Sequence, residues 1–338
     1  MRIFITGGLG FIGSSVIRNL ITKKSIEILN FDKQTYAANR YSLNHIEKNS
    51  NYIFHKGDIA DKSLITKIFY SFQPHFVMNL AAETHVDRSI SSPEEFIKTN
   101  INGTFNLLEC SRKYLKECKT EIKKVFRFHH ISTDEVFGSL GDTGLFTEKS
   151  CYKPSSPYSA SKASSDHLVR AWHHTYQLPI IITNCSNNYG PHQYREKLIP
   201  LTILNAINGE TIPIYGEGLQ IRDWLYVDDH ADALHRILFH GELGETYNIG
   251  GNNEITNIEL VKKICKILNS KISKKPRDIR SFEELIKYVP DRPGHDFRYG
   301  IDASKLEKEL GWKATTKIDE GLEKTIDWYI DNQDKVLI

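Results

Sequence analysis

Near its start the chain runs Arg2-Ile3-Phe4-Ile5-Thr6-Gly7-Gly8-Leu9-Gly10-Phe11-Ile12-Gly13, an apolar run that passes directly into a glycine-rich turn and then into helical periodicity from Phe11 to Leu20. Glycines at 7, 10 and 13 let the backbone turn tightly and approach a pyrophosphate, whose charge is stabilised by the amides of the helix N-terminus. A glycine triplet alone is weak evidence. Its setting strengthens it: a strand before, a helix after, and Asp32 at the end of the next apolar run, nineteen positions beyond Gly13. A carboxylate there accepts hydrogen bonds from both adenosine ribose hydroxyls and repels a 2′-phosphate, which favours NAD over NADP. Lys33 and Arg40 nearby act against that preference. Asp58-Ile59, after a further strand-like run, is expected beside the adenine.

Similar apolar runs recur at Ile26–Phe31, Phe76–Leu80, Val125–Ile131 and Ile180–Thr183, with helical periodicity between them at Leu64–Phe72 and Thr104–Tyr114. Strands that are apolar throughout and alternate with helices predict a parallel sheet covered on both faces. The expected fold class is α/β: a Rossmann-type doubly wound parallel sheet with a smaller α/β substrate-binding domain. Ligands in such sheets bind beyond the carboxyl ends of the strands, so residues just past each run are candidate site residues. From about Asn184 the rhythm loosens at Gly190-Pro191, Gly216–Gly218 and Gly250-Gly251, before helical patterns at Ile258–Leu268 and Ile318–Tyr329. The expected division is an NAD-binding domain over 1–183 and a second lobe over 184–338 that interleaves with it.

The 338 residues, 40% apolar and 25% charged, suit one large globular domain or two smaller ones. Lysine plus arginine number 44 against 42 acidic residues, and a net charge of +2 gives no field that argues for nucleic acid or an anionic membrane. The Lys271–Lys275 stretch reads as a solvated loop. Five scattered cysteines, Cys110, Cys118, Cys151, Cys185 and Cys265, show neither a disulfide framework nor metal-ligand spacing, and point to a reducing cytoplasm. No apolar run approaches the roughly 18 residues of a membrane span, and Met1–Thr6 reads as a strand rather than a signal peptide. Neither secretion nor membrane spanning is expected.

Tyr158-Ser-Ala-Ser-Lys162 is a Tyr-x-x-x-Lys element, but Tyr52-Ile-Phe-His-Lys56 has the same spacing. The first follows Pro157 in a stretch free of breakers up to Trp172, where helical geometry places residues four apart on one face. The second reads as a strand, in which residues four apart are separated by about 13 Å. Only Tyr158 and Lys162 can cooperate, the lysine cation stabilising a phenolate that takes a hydroxyl proton while hydride leaves the same carbon. Asp134-Glu135 follow the Val125–Ile131 run directly and precede apolar Val136-Phe137, an odd place for a solvating pair. Two carboxyl groups in one cleft can supply one acid and one base.

The glycine loop together with Tyr158-x-x-x-Lys162 resembles the extended short-chain dehydrogenase/reductase family. The blocks Leu80–Ser89, Ser132–Gly138, Asn184–Pro191 and Arg222–His230 sharpen the resemblance to the dehydratases of sugar nucleotides in that family, over Thr6 to about Trp312. The resemblance implies dTDP-glucose as substrate and NAD as a cofactor that stays bound and is regenerated in each turnover. It implies that Tyr158 with Lys162 takes the 4-hydroxyl proton, Thr133 orients that oxygen, Glu135 removes the C5 proton and Asp134 protonates the departing C6 hydroxyl. The product is then a 4-keto-6-deoxy sugar nucleotide for deoxysugar (rhamnose-type) biosynthesis.

Around the cofactor, the resemblance implicates Gly7, Gly10, Phe11, Ile12, Gly13, Asp32, Lys33, Thr35, Asp58, Ile59, Leu80, Ala81, Ala82, Thr84, Thr99 and Asn188 beside Tyr158 and Lys162. Around the substrate it implicates Thr84, Thr133, Asn187, Lys197, Leu198, Pro213, Tyr215, Arg222, Asn257, Arg292 and His295, the arginines suiting a diphosphate. The 184–338 lobe is accordingly expected to hold mainly the sugar nucleotide. Gln34, Ala38 and Arg195 depart from the family pattern, and Arg195 stands beside the substrate loop. A homodimer through the Phe105–Tyr114 and Ser161–Trp172 stretches is also implied. No metal is expected, because adjacent histidines at 129–130 and 173–174 diverge in a strand or helix. The rival readings are a UDP- or CDP-glucose dehydratase, a sugar-nucleotide 4-epimerase, which needs no acid and base at C5 and C6, and a non-catalytic NAD-binding module.

Overall fold

The computed structural model describes residues 1–276 and 278–333, so the last five residues of the expected 184–338 lobe, and Arg277 within it, lie outside the described residues. Twelve strands are formed among those described: β1 (Arg2–Thr6), β2 (Glu27–Asp32), β3 (Tyr52–Lys56), β4 (Phe76–Asn79), β5 (Arg127–Thr133), β6 (Ile180–Cys185), β7 (Asn187–Tyr189), β8 (Ile212–Tyr215), β9 (Ile221–Tyr226), β10 (Thr246–Ile249), β11 (Glu254–Thr256) and β12 (Ile286–Val289). Seven of them build a parallel sheet in the order β10-β6-β5-β4-β1-β2-β3. Its order reverses between β1 and β4, and there a crevice opens beyond the carboxyl ends of the strands.

The central strands are buried on both faces because both carry helices. One apolar cluster joins Ile3, Ile5 and Met78 to the Phe11–Ile21 and Val227–His240 helices. On the opposite face Phe4, Val77 and Phe128 pack with the Lys62–Phe72 and Thr104–Glu117 helices. A third core around Ile203, Leu260, Ile264 and Ile326 ties the Leu198–Asn208, Asn257–Lys271 and Ile318–Asp331 helices to Trp224 and Tyr226 of β9. Two small sheets, β11-β9-β7 and β12-β8, belong to this part of the chain.

The expected doubly wound sheet is present, and two local expectations need correction. Val125 closes a short helix over Thr120–Val125 and is 44% exposed, so the strand begins only at Arg127. Lys271 is the last residue of a helix and its ammonium lies 2.7 Å from Asp327, while Lys275 sits over the Phe282 ring, so this lysine run is not simply a solvated loop. The strand β10 was not anticipated: its four residues, Thr-Tyr-Asn-Ile, alternate polar and apolar and so form no continuous apolar run.

Candidate active site

Thr6 ends β1 and Phe11 opens the first helix, so the glycine turn lies at the switch point. Gly7 takes φ +71°, and a Cβ there would stand 2.7 Å from the Ala81 backbone; one on Gly13 would stand 2.2 Å from the Gly7 carbonyl oxygen. Both positions therefore require glycine. The Phe11–Ile21 helix has no side-chain cap at Gly10 and no acidic residue in its first turn, which leaves its N-terminal amides to an anion. Asp32 is buried, and its carboxylate accepts from the Leu9 and Gln34 amides at 2.9 and 2.7 Å, leaving further lone pairs for ribose hydroxyls. Burial raises its pKa against the pull of those two amides.

The cations that spoke for a 2′-phosphate are committed elsewhere: the Lys33 ammonium lies 2.9 Å from Asp58, and Arg40 sits over the Phe54 ring. Thr99 adds a buried hydroxyl oxygen with no partner among the described residues. The chain's own groups therefore fit NAD. Of the departures noted, Gln34 carries the strain of φ +58°, Ala38 lines the cleft and Arg195 is exposed.

The cleft, of about 1590 Å³ including its open mouth, is lined by every residue implicated around the cofactor: Gly7, Gly10, Phe11, Ile12, Gly13, Asp32, Lys33, Thr35, Asp58, Ile59, Leu80, Ala81, Ala82, Thr84, Thr99, Tyr158, Lys162 and Asn188. Thr133, Asp134, Glu135, Asn187 and Lys197 line it too. Thr133 ends β5, and its hydroxyl oxygen accepts from the Glu135 amide at 3.3 Å, which starts the single turn Asp134–Phe137 and points both acids into the cleft. Ser156 and Ser159 form a reciprocal cap on the Pro157–Tyr176 helix, whose first and second turns present Tyr158 and Lys162.

Asp134 is 1% exposed, and its Oδ1 accepts from the Thr133 hydroxyl at 3.3 Å while Oδ2 has no partner among the described residues. Burial pushes this carboxyl well above the usual carboxylate range, reinforced by Glu135 and Asp223 and opposed by Arg222. Glu135 is also raised by burial, but three cations, Lys197, Arg292 and Arg222, act on it in the opposite sense. The pair is thus differentiated: Asp134 is raised further by two carboxylates and opposed by one cation, whereas three cations act on Glu135.

Tyr158 departs from expectation. Its phenol pKa is raised well above the ordinary value, first by burial, then by Glu135 and Cys185, with Thr133 lowering it through a hydrogen bond. Lys162, 5% exposed, donates to the Ile131 carbonyl at 2.7 Å, and burial lowers its pKa against the attraction of Asp166. In this state the lysine does not by itself bring the phenol toward neutrality.

The remaining substrate-side candidates stand outside the cleft walls. Leu198 opens the Leu198–Asn208 helix, Asn257 opens the Asn257–Lys271 helix, and Pro213 and Tyr215 lie on β8. Tyr215 donates to Asp87 at 3.3 Å and packs edge-on to His295, whose Nδ1 lies 2.6 Å from Asp291. Arg292 lies 3.6 Å from Asp87, with a buried Nε that has no partner among the described residues. Arg222 stacks over Tyr299 and donates to the Ile221, Asp296 and Phe297 carbonyls. Sequence reasoning missed a clasp at the mouth: Arg88 lies 3.6 Å over the Tyr36 ring and 3.4 Å from Glu196, while Tyr36 meets Tyr194 edge-on. Only the place of Glu196 beside Lys197 hinted at it. Among the described residues no group of His, Cys, Asp and Glu is arranged to hold a metal, and no helix is long and apolar enough to cross a membrane.

A family model described as GDP-mannose 4,6 dehydratase matches residues 4–325. The dTDP-glucose 4,6-dehydratase of Escherichia coli is 57% identical over 343 residues, covering 99% of this chain and 95% of that protein. The enzyme of the same name from Neisseria meningitidis serogroup B is 56% identical over 333 residues, covering 98% and 94%. A crystal structure of the Streptomyces venezuelae dTDP-glucose 4,6-dehydratase with NAD bound superposes with a TM-score of 0.90 at 40% identity, covering 99% of this chain and 98% of that one.

Proposed function

Because the chain belongs to the GDP-mannose 4,6 dehydratase family, we propose that it is an NAD-dependent lyase converting dTDP-glucose to dTDP-4-keto-6-deoxyglucose. The observation that carries this reading is the differentiated pair of buried Asp134 and half-buried Glu135, lining the same cleft as Tyr158 and Lys162. A 4-epimerase has no use for such a pair.

The glycine-turn amides, Asp32 and Thr99 hold NAD, which when bound accepts hydride from C4 and supplies it back at C6. Tyr158, with Lys162 on the same helix face, takes the proton of the 4-hydroxyl, and Thr133 hydrogen-bonds that oxygen. The resulting ketone acidifies the C5 proton. Glu135 removes this proton, and Asp134, whose burial favours the protonated carboxyl, delivers its proton to the C6 hydroxyl so that water leaves. Glu135 then returns a proton to C5. Arg222, Arg292 and His295 grip the diphosphate, with Asn187, Lys197, Leu198, Pro213, Tyr215 and Asn257 along the rest of the sugar nucleotide. Residues 1–183 thus serve mainly the cofactor and 184–338 mainly the substrate, and the product is suited to deoxysugar biosynthesis. A reducing cytoplasm accords with the free thiols of all five cysteines.

Incubation of purified protein with dTDP-glucose in deuterated water, without added NAD, tests the reading. The expected product has lost one water and carries deuterium at C5; a hexose of unchanged mass, epimerised at C4, overturns it. UDP-glucose and CDP-glucose run in parallel rank the bases. A homodimer is supported by Phe105 and Tyr176, 38% and 49% exposed on either side of Trp172, which touches both rings. Sedimentation at a single-chain mass excludes it.

A further inference from the structure

Tyr158, Lys162 and Asp166 recur every four residues along one face of the Pro157–Tyr176 helix, and the mechanism above uses only the first two. Asp166 has no exposed surface. Its Oδ2 accepts from the Tyr152 hydroxyl at 2.8 Å, from Ser132 at 2.9 Å and from the Asn184 amide at 3.4 Å. The same Asn184 amide nitrogen donates to the Thr133 carbonyl at 2.9 Å, so the carboxylate is linked to the end of β5 through two residues. His130 Nε2 lies 3.2 Å from Oδ1 and 3.3 Å from Ser165. Its Nδ1 faces the Asn79 amide nitrogen at 3.1 Å, a donor, which places the ring proton on Nε2, where the Ser165 hydroxyl accepts it beside the Asp166 Oδ1.

We propose that Asp166 is a positioning residue for the oxidation at C4: its buried carboxylate, one turn beyond Lys162 on the same helix face, supplies the counter-charge for that ammonium and anchors the end of β5 that carries Thr133. This rests on the reading of Tyr158 as the base at the 4-hydroxyl. A buried lysine without a counter-charge gives up its proton. The other titratable groups around the pair do not replace Asp166. His130 is held neutral by burial, down to about 4; the Cys185 thiol is pushed up to about 12; and Arg170, donating to Tyr152 at 2.8 Å, adds a second positive charge. Loss of the carboxylate therefore lowers the Lys162 pKa, and loss of the lysine charge raises that of Tyr158 further.

The test uses the NAD-holoenzyme. Wild type, Asp166→Asn and Asp166→Glu are mixed with dTDP-glucose, and the appearance of bound NADH is followed from neutral to alkaline pH. Asp166→Asn is expected to move the acidic limb of this rate up by about one pH unit, a tenfold loss at a fixed pH on that limb, with KM changed less than about twofold. Asp166→Glu, which keeps the charge, leaves the limb in place even if the rate falls. A uniform loss at all pH values in Asp166→Asn, or equal shifts in both variants, overturns the proposal. Should Asp166→Asn not fold, the lysine Cε resonance of the labelled wild-type holoenzyme, assigned by its loss in Lys162→Met, decides. It must report a charged lysine at the pH where oxidation reaches its plateau, and a neutral one overturns the proposal. A wild-type enzyme that releases water while the limb stays unmoved removes only the role of Asp166. Failure of the wild type to release water removes the functional reading itself.

Discussion

Glu135 and Asp134 are neighbours in sequence with opposite tasks, and their separate substitution separates two steps. Glu135→Gln should still reduce bound NAD on mixing with dTDP-glucose yet form product roughly 10²–10⁴-fold more slowly, as read by cofactor absorbance beside product mass. Unimpaired product formation rules Glu135 out as the base. Asp134 has a folded-state pKa raised by burial, so the folded protein binds more protons than the unfolded chain at pH values between the two pKa values. Stability is therefore lost as pH rises from the unfolded value through the folded one, and the elimination rate falls over the upper part of the same window. Asp134→Asn removes the penalty and the proton together. Its expected signature is a higher melting temperature at alkaline pH with elimination slowed by roughly 10²–10⁴-fold.

At the scale of elements, the Pro157–Tyr176 helix depends on its start. Removing the Ser156 cap by Ser156→Ala should cost about 1 kcal/mol in denaturant unfolding and loosen the turn that carries Tyr158. Gly13→Ala would drive a Cβ to 2.2 Å from the Gly7 carbonyl oxygen, so the purified variant should carry little or no NAD. Elements of this kind were legible in the sequence because local signals coincide: the glycine turn between a strand and a helix, and Pro157 opening a breaker-free run. The two Tyr-x-x-x-Lys segments separated as expected, Tyr52 on β3 and Tyr158 on a helix. What was not legible depends on contacts between segments far apart. The Arg88, Tyr36 and Glu196 clasp joins three stretches with no shared periodicity. The raised pKa of Tyr158 follows from burial that no spacing reveals.

Across the whole molecule, NAD is expected to bridge β1, β2, β4, β5 and the Pro157–Tyr176 helix, so its removal should be felt globally. A ligand at 100 times its dissociation constant adds about 2.7 kcal/mol to stability. Protein stripped of NAD should melt several degrees lower and recover on re-addition in a concentration-dependent way, by calorimetry; an unchanged transition counts against the bridging role. The near-neutral net charge of +2 is consistent with an anionic ligand, because the cations facing Glu135 are local while acidic residues elsewhere balance them.

The edge strand β10 joins β6 only after the chain has built β7 to β9. During synthesis, then, the large sheet keeps an open edge along β6 until residue 249 has emerged, when the segments that form the third core are still partly unmade. An open edge on a parallel sheet is a template for pairing with another chain. A chain ending at residue 245 should therefore aggregate or be cleaved near β6, where the full chain resists protease, and the lesson for anyone dividing this protein is that its first 183 residues are an unfinished sheet.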